Sequence, residues 1–202
     1  MITIRKASEK DIENVLKLYS EVIDQIRDNE SNPGWEHGVY PRKENICDAI
    51  NAEELYVGEK DNEIASAIVI NNRTNEGYEN IKWNVDVDDE YVYYIHLVAV
   101  NQKFRKQGFA KKMLNYAFDL AKENSIKSIR LSIHMNNLGI EPVYTKLGFK
   151  YVDSIEVNNK YRGLISFKVY EKILWLNFKL LFKLLILIIK RKKKDKKELF
   201  FS

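Results

Sequence analysis

Cysteine, proline, glycine and histidine are all scarce in this chain of 202 residues. The single cysteine, Cys47, excludes a disulfide scaffold and a cysteine-based zinc site, and it fits a reducing compartment. Eight glycines and three prolines exclude collagen-like and proline-rich architectures. The three histidines lie far apart in the chain, so we expect no metal site. What remains is a composition and length suited to one globular domain with a hydrophobic core.

The net charge of +4 hides an uneven distribution along the chain. Residues 173–202 carry nine basic and two acidic side chains, which leaves residues 1–172 with a net charge of −3. The sequence therefore predicts a mildly acidic domain over residues 1–172 and a basic tail over residues 173–202. The tail contains no motif that reads bases, so we expect no specific nucleic-acid partner.

Strand and helix patterns alternate along residues 1–172. Apolar residues at three- and four-residue steps predict helices over residues 12–26 and 110–121, with shorter helices over 43–51 and 137–147. Alternating or continuous apolar runs predict strands over residues 2–5, 55–59, 64–70, 81–87, 91–100, 129–133, 151–157 and 161–170. This interleaving predicts an α/β domain.

Residues 105–111 (RKQGFAK) directly follow the strongest predicted strand and open a helix. The first amides of a helix have no intrahelical acceptor, and the helix dipole is positive at that end. Gly108 allows close approach of the backbone to a ligand, and the neighbouring lysines and arginine add positive charge. The segment predicts a diphosphate-binding loop. The alternative is a basic, solvated helix start with a glycine turn.

Two sequence blocks resemble the GNAT superfamily of acetyl-CoA-dependent N-acyltransferases. The first, YIHLVAVNQKFRKQGFAKKMLNYAF, combines an apolar strand, the pattern Q/R-x-x-G-x-G/A and a long helix. The second, NLGIEPVYTKLGF, has an asparagine, a helix carrying tyrosine, and Leu-Gly-Phe. The resemblance implies a mixed central sheet of about seven strands with flanking helices, acetyl-CoA as the acyl donor, and no metal.

The activity that the resemblance implies is transfer of the acetyl group to a primary amine by direct attack in a ternary complex. The acceptor would be a small amine or a peptide amine, and the sequence does not discriminate among polyamines, aminoglycosides, arylalkylamines, amino acids and peptides. A non-catalytic module that binds or senses acyl-CoA stays open as the alternative.

The resemblance also assigns roles to individual residues. The backbone of Val98 and Val100 would bind the pantetheine arm, and the Val98 N–H would polarise the thioester carbonyl. Asn137 would contact the pantetheine; its alternative role is a helix N-cap. Tyr144 would be the general acid that protonates the leaving thiolate; its alternative is a structural core tyrosine. The pyrophosphate would bind the segment Arg105, Lys106, Gln107, Gly108, Phe109, Ala110 and Lys111.

His96 is the candidate base, since a neutral imidazole can accept a proton from an amine. Two-residue alternation predicts that His96 shares a strand face with Tyr94 and Val98. The alternative is that His96 is a hydrogen-bonded core histidine. Removal of the amine proton would then run through water or through Tyr94. His37 and His134 are interpreted as structural or surface residues. Candidates for the acceptor pocket are Trp35, Tyr40, Trp83 and Tyr94.

The tail begins with an apolar run of 17 residues, 173–189, which as a helix would be about 25 Å long against ~30 Å of hydrocarbon. Its lysines recur on one narrow stripe. This pattern predicts an extra C-terminal amphipathic helix that lies on an anionic membrane surface through residues 173–197, on the cytoplasmic side. The alternatives are packing of its apolar face on the domain or on a second subunit, as in a homodimer, and a marginal membrane span.

Overall fold

The computed structural model describes residues 2–26, 32–137, 139–159 and 163–174, and within them seven strands form one sheet. The strands are β1 Thr3–Lys6, β2 Leu55–Lys60, β3 Glu63–Asn71, β4 Val92–Val100, β5 Ser128–His134, β6 Lys150–Asn159 and β7 Gly163–Ile173. Their order across the sheet is β1-β2-β3-β4-β5-β7-β6. Strands β4 and β5 are parallel, and all other neighbours are antiparallel. The predicted mixed sheet with flanking helices is confirmed.

Helices cover both faces of this sheet. They are α1 Ile12–Ile26, α2 Lys43–Asn51, α3 Phe109–Glu123 and α4 Glu141–Lys146. The apolar side of α1 packs with α2 against β2 and β3 on one face, where Val15, Leu18, Ile46, Val57 and Val69 are buried together. Helices α3 and α4 pack on the opposite face, where Met113, Leu114, Tyr144, Ile68 and Leu131 are buried together. The periodicity predicted for residues 12–26 therefore corresponds to a helix that buries one side.

The strand predicted over residues 81–87 is wrong, because this segment is irregular in the structure. Side chains of the sheet, rather than a neighbouring strand, pair with its backbone. Arg130 donates to the Val85 carbonyl at 2.7 Å, and the Asn84 N–H donates to the Glu171 carboxylate at 2.8 Å. The apolar alternation that suggested a strand comes from Ile81 and Trp83, which pack on the sheet surface.

Two boundaries differ from those expected. Helix α4 begins at Glu141 rather than near Asn137, with Ile140 as its N-cap and Pro142 in its first turn, the position that proline tolerates. At the C-terminal end, β7 continues to Ile173, and the Leu174 N–H donates to the Lys127 carbonyl at 2.8 Å. The folded unit thus extends past residue 172. The amphipathic helix expected over residues 173–202 lies outside the described residues from 175 onward.

Candidate active site

The two parallel strands at the centre of the sheet separate part of the way along their length. Registered pairing joins Val92 to Ser128 and ends where Tyr94 meets Arg130, although β4 continues to Val100. A cleft of about 730 Å³ opens where the pairing ends. Residues 95–100 of β4 line one side of it and residues 131–134 of β5 line the other. The edge of β4 in this cleft is therefore placed to pair with an extended ligand rather than with β5.

A bulge in β4 changes the direction of the side chains along this edge. Leu97 has a φ of +51°, and the register with β3 shifts between Ala67 and Val69, so that Leu97 and Val98 have no registered partner in β3. The Tyr19 hydroxyl, from α1, donates to the Leu97 carbonyl at 2.6 Å. A partly buried hydrogen bond therefore supports a backbone conformation that leucine rarely adopts.

The expectation that Val98 shares a face with His96 and Tyr94 is wrong. Val98 packs with the cluster under α3, whereas Leu97 packs on the α1 face and Tyr94 packs with Tyr78 on that same side. The extra residue of the bulge interrupts two-residue alternation, so positions after Leu97 change sides. Val98 and Val100 both still line the cleft, as the role of their backbone groups requires.

The loop before α3 has the backbone expected of an anion-binding nest. Lys106 and Gly108 have φ values of +60° and +81°, and α3 begins at Phe109. Alternation of left- and right-handed residues turns successive N–H groups toward one concave side. A Cβ placed at Gly108 would have no atom within 4 Å, so the positive φ, and not crowding, favours glycine here.

Most residues of this loop line the cleft, and three of them carry positive charge. Arg105, Lys106 and Lys111 line the cavity, and within the described residues none of these three forms an ion pair. Gly108, Phe109 and Ala110 line it as well. The Gln107 side chain is directed elsewhere, since it accepts from Lys60 Nζ at 2.9 Å and donates to the Lys103 carbonyl. Six of the seven residues predicted for this segment therefore line the cleft.

Tyr144 is buried and lines the cleft from α4. Its ring makes an edge-to-face contact with Phe149, with 5.6 Å between ring centroids. Burial raises the pKa of the Tyr144 hydroxyl, so that it keeps its proton across the physiological range. Asn137 also lines the cleft, and it lies three residues before Ile140, so it is not the N-cap of α4.

His96 lines the cleft and is partly buried. Its Nε2 lies 3.3 Å from Asn71 Oδ1. Burial, and secondly the nearby Arg73 charge, lower the pKa of His96 from 6.5 to about 4. The imidazole is therefore neutral at pH 7 and can accept a proton.

The four aromatic residues predicted for the acceptor pocket divide into two pairs. Trp35 and Tyr40, from the segment between α1 and α2, line the cleft. Trp83 and Tyr94 do not line it. The Arg130 guanidinium stacks on the Trp83 ring at 4.2 Å, and the buried Tyr94 hydroxyl donates to Asp89 at 2.7 Å. These contacts commit both aromatic residues to the packing beneath residues 81–91.

Sequence reasoning assigned no site role to His134 or Asn71. His134, at the end of β5, lines both the cleft and an adjoining cavity of about 730 Å³, and Trp35 also borders both. The Asn136 N–H donates to His134 Nδ1 at 3.2 Å. Neither residue lies in a recognisable local pattern, and only the meeting of distant strands brings them to the site.

Among the described residues, no group of three or more metal-ligating side chains comes together. None of the helices in the same part of the chain has the length and apolar content needed to cross a membrane.

Comparison with known proteins gives consistent matches. The sequence profile of the Acetyltransferase (GNAT) family matches residues 20–149. A GNAT-family acetyltransferase structure from Streptococcus agalactiae superposes with a TM-score of 0.71 at 24% identity, covering 86% of this chain and 96% of that one. The uncharacterised N-acetyltransferase YesJ of Bacillus subtilis is 23% identical over 145 residues, which is 71% of this chain and 78% of that protein.

A shorter match reaches higher identity. A chloroplastic GCN5-related N-acetyltransferase of Arabidopsis thaliana is 36% identical over 61 residues, 30% of this chain. That match spans only 21% of the plant protein.

Proposed function

Because this chain is an enzyme of the acetyltransferase (GNAT) family, we propose that it transfers the acetyl group of acetyl-CoA to a primary amine by direct attack in a ternary complex. The observation that carries the proposal is the cleft between β4 and β5, which the phosphate loop, the unpaired edge of β4 and Tyr144 line together. Groups suited to binding the donor and to donating a proton thus line one cavity.

The residues at the cleft fit acetyl-CoA. The nest at Lys106 and Gly108, together with the first amides of α3, would hold the pyrophosphate. The backbone of Val98 and Val100 would pair with the pantetheine arm, with Asn137 in contact beside it. When bound, acetyl-CoA supplies an acyl group activated as a thioester.

Three groups of the chain would then act at the reacting atoms. The Val98 N–H would donate to the thioester oxygen, where negative charge develops. As the N–C bond forms and the C–S bond breaks, Tyr144 would give its proton to the departing thiolate. His96 would accept the proton that the amine loses, since only an amine with a lone pair attacks.

The acceptor would enter the cleft along the segment between α1 and α2. Trp35 and Tyr40 of this segment line the cleft, and aromatic faces attract cationic or apolar amines. The adjoining cavity that shares Trp35 and His134 gives room for the body of such an acceptor. These contacts support a small amine or a peptide amine without selecting between them.

The decisive experiment measures thiol release with a panel of polyamine, aminoglycoside, arylalkylamine, amino-acid and peptide acceptors. We expect Tyr144→Phe to lower kcat about 100-fold or more and to leave CoA affinity nearly unchanged, because only the proton donor is lost. Tyr116→Phe is the matched control, since Tyr116 lies on α3 outside the cleft and packs on Tyr56. CoA binding without thiol release from any acceptor would favour a non-catalytic acyl-CoA module, and absence of CoA binding would contradict both functions.

We also propose that the tail from residue 175 to residue 202 attaches the enzyme to the anionic cytoplasmic face of a membrane. The support is the apolar run followed by the cluster Lys190, Arg191, Lys192, Lys193 and Lys194. In flotation with vesicles of anionic or neutral lipid, the full chain should float only with anionic vesicles. The full chain with K190E, K192E, K193E and K194E should not.

A truncation tests the same proposal, and it should retain Leu174, whose N–H is bonded to Lys127. Equal flotation of the full chain and of residues 1–174 would contradict membrane attachment. Loss of a dimer on truncation, seen by gel filtration without any change in flotation, would indicate packing on a second subunit.

A further inference from the structure

Three polar side chains, linked by hydrogen bonds and an ion pair, form a series that ends at His96. Asn71, at the end of β3, is buried, and its Oδ1 lies 3.3 Å from His96 Nε2. Asn71 Nδ2 donates to Glu54 Oε2 at 3.1 Å. Glu54 in turn pairs with the Arg73 guanidinium. Neither Asn71 nor Glu54 belongs to the two sequence blocks described above, so the pattern of the phosphate loop and of α4 gives no reason for them.

The contacts determine which way the Asn71 amide faces. Its nitrogen donates to the Glu54 carboxylate, and its oxygen accepts from the Arg73 N–H at 3.1 Å. The reversed orientation would place the amide oxygen against a carboxylate and the amide nitrogen against a backbone N–H, and both contacts would be repulsive. The oxygen therefore faces His96.

The orientation of this amide determines the tautomer of the imidazole. An amide oxygen can only accept, so His96 Nε2 must carry the hydrogen that lies between them. A neutral imidazole has one protonated and one unprotonated ring nitrogen. The lone pair of His96 is consequently on Nδ1.

The charges around His96 favour the neutral ring. Arg73, from the segment after β3, is the cation that acts on it, and Glu54, from the loop before β2, is already paired with that arginine. The other titratable groups that line the same cavity are Tyr40, His134, Tyr144, Arg105, Lys106 and Lys111. No carboxylate of the described residues lines the cleft beside His96. The His96 imidazole is thus hydrogen-bonded to a neutral amide, in the position where a charge relay would have a carboxylate.

We propose that Asn71 is a positioning residue that holds His96 as the Nε2–H tautomer, so that Nδ1 accepts the proton which the attacking amine loses. The proton moves from the amine nitrogen to Nδ1 as the N–C bond forms. After the product departs this proton leaves for solvent, and Tyr144 regains from solvent the proton that it gave to the thiolate. This assignment rests on the proposed function, but its structural part can be measured without turnover.

The structural part is tested by NMR of the full chain labelled with ¹⁵N-histidine. The couplings between the carbon-bound ring protons and the two ring nitrogens identify the tautomer. The spectrum of His96→Gln, which lacks the His96 signals, assigns the resonances. We expect the wild-type His96 to be the Nε2–H tautomer throughout pH 6–8. A Nδ1–H tautomer in the wild type would overturn the proposal without any variant.

Two substitutions at Asn71 change the partner of His96 in opposite ways. Asn71→Leu removes the acceptor, so His96 should become a mixture of tautomers. Asn71→Asp, made together with Glu54→Gln so that two carboxylates do not face each other, places a carboxylate at the same site, so His96 should keep its tautomer while its titration midpoint rises by at least about one pH unit. Asn72→Leu is the control, because the neighbouring Asn72 amide donates to the Val92 carbonyl and does not contact His96. A spectrum of His96 that is unchanged in Asn71→Leu would overturn the proposal.

Kinetics separate this role from a merely structural one. Asn71→Leu should lower kcat at least about tenfold with an unchanged Kd for CoA, whereas Asn71→Asp with Glu54→Gln should restore activity and shift the acid limb of the kcat/KM profile to higher pH. The expected tautomer without turnover of any amine would overturn the catalytic role together with the proposed function. Turnover that is insensitive to Asn71 would overturn the role of Asn71 alone.

Discussion

At the scale of single residues, Leu97 determines how the cleft presents its groups. Its positive φ places His96 and Leu97 toward α1 and places Val98 toward α3. The candidate base, His96, and Val98, whose N–H is the candidate oxyanion donor, are two residues apart, and the bulge between them turns their side chains to different sides of the strand. The Tyr19 hydroxyl, bonded to the Leu97 carbonyl, couples this geometry to α1.

His96 should make the stability of the protein depend on pH. Its pKa is about 4 in the folded state and 6.5 in a solvated reference, so between these values the unfolded chain binds more protons. The free energy of unfolding should therefore fall as the pH drops from 6.5 to 4, by up to about 3 kcal/mol from this residue.

Urea denaturation at several pH values checks this contribution. His96→Gln should lose less stability than the wild type between pH 6.5 and pH 4.5. His37→Gln is the control, since His37 pairs with Asp24 at the surface. Parallel curves for the wild type and His96→Gln would show that the imidazole titrates normally in the folded state.

At the scale of elements, the turn that joins β4 to α3 has the backbone conformation expected of an anion-binding nest. The short turn Gln102–Phe104 redirects the chain, and the left-handed Lys106 and Gly108 then present amides ahead of Phe109. Because this backbone shape is local, a short sequence segment encodes it.

Gly108→Ala should weaken CoA binding by roughly tenfold, because alanine at a positive φ is strained by about 1–2 kcal/mol and the loop would relax away from the nest. Calorimetric titration with CoA measures the change. Gly163→Ala is a matched control: Gly163 also has a positive φ, +69°, with open space for a Cβ, and it lies at the start of β7. If both variants bind CoA like the wild type, the nest is not the phosphate site.

At the scale of the whole molecule, a buried ionic network joins segments that are distant in sequence. Arg130 and Glu171 are almost fully buried and lie 3.1 Å apart across β5 and β7. Through Asn84 and Val85 they also bind the irregular segment before β4. This network fills the place where a further strand was predicted and keeps Trp83 away from the cleft.

Removing one partner of this pair should be more costly than removing both. Glu171→Leu or Arg130→Met alone should lower the free energy of unfolding by about 3–5 kcal/mol, because an unpaired charge stays buried. The double variant should lose clearly less than the sum of the two. Urea denaturation of the four proteins measures the coupling, and additive losses would indicate that the pair does not act as a unit.

The sequence alone determined the fold class, the glycine turn that opens α3 and the placement of Tyr144 on the helix that follows β5, because each depends on a short pattern: strand periodicity, a left-handed glycine before a helix, and a tyrosine at helical spacing. The tertiary structure decided which residues surround the candidate base, His96. The bulge in β4, the packing of Trp83 and Tyr94 away from the cleft, and the contact of Asn71 with His96 arise from pairing between distant strands. Local periodicity carries no information about such pairing.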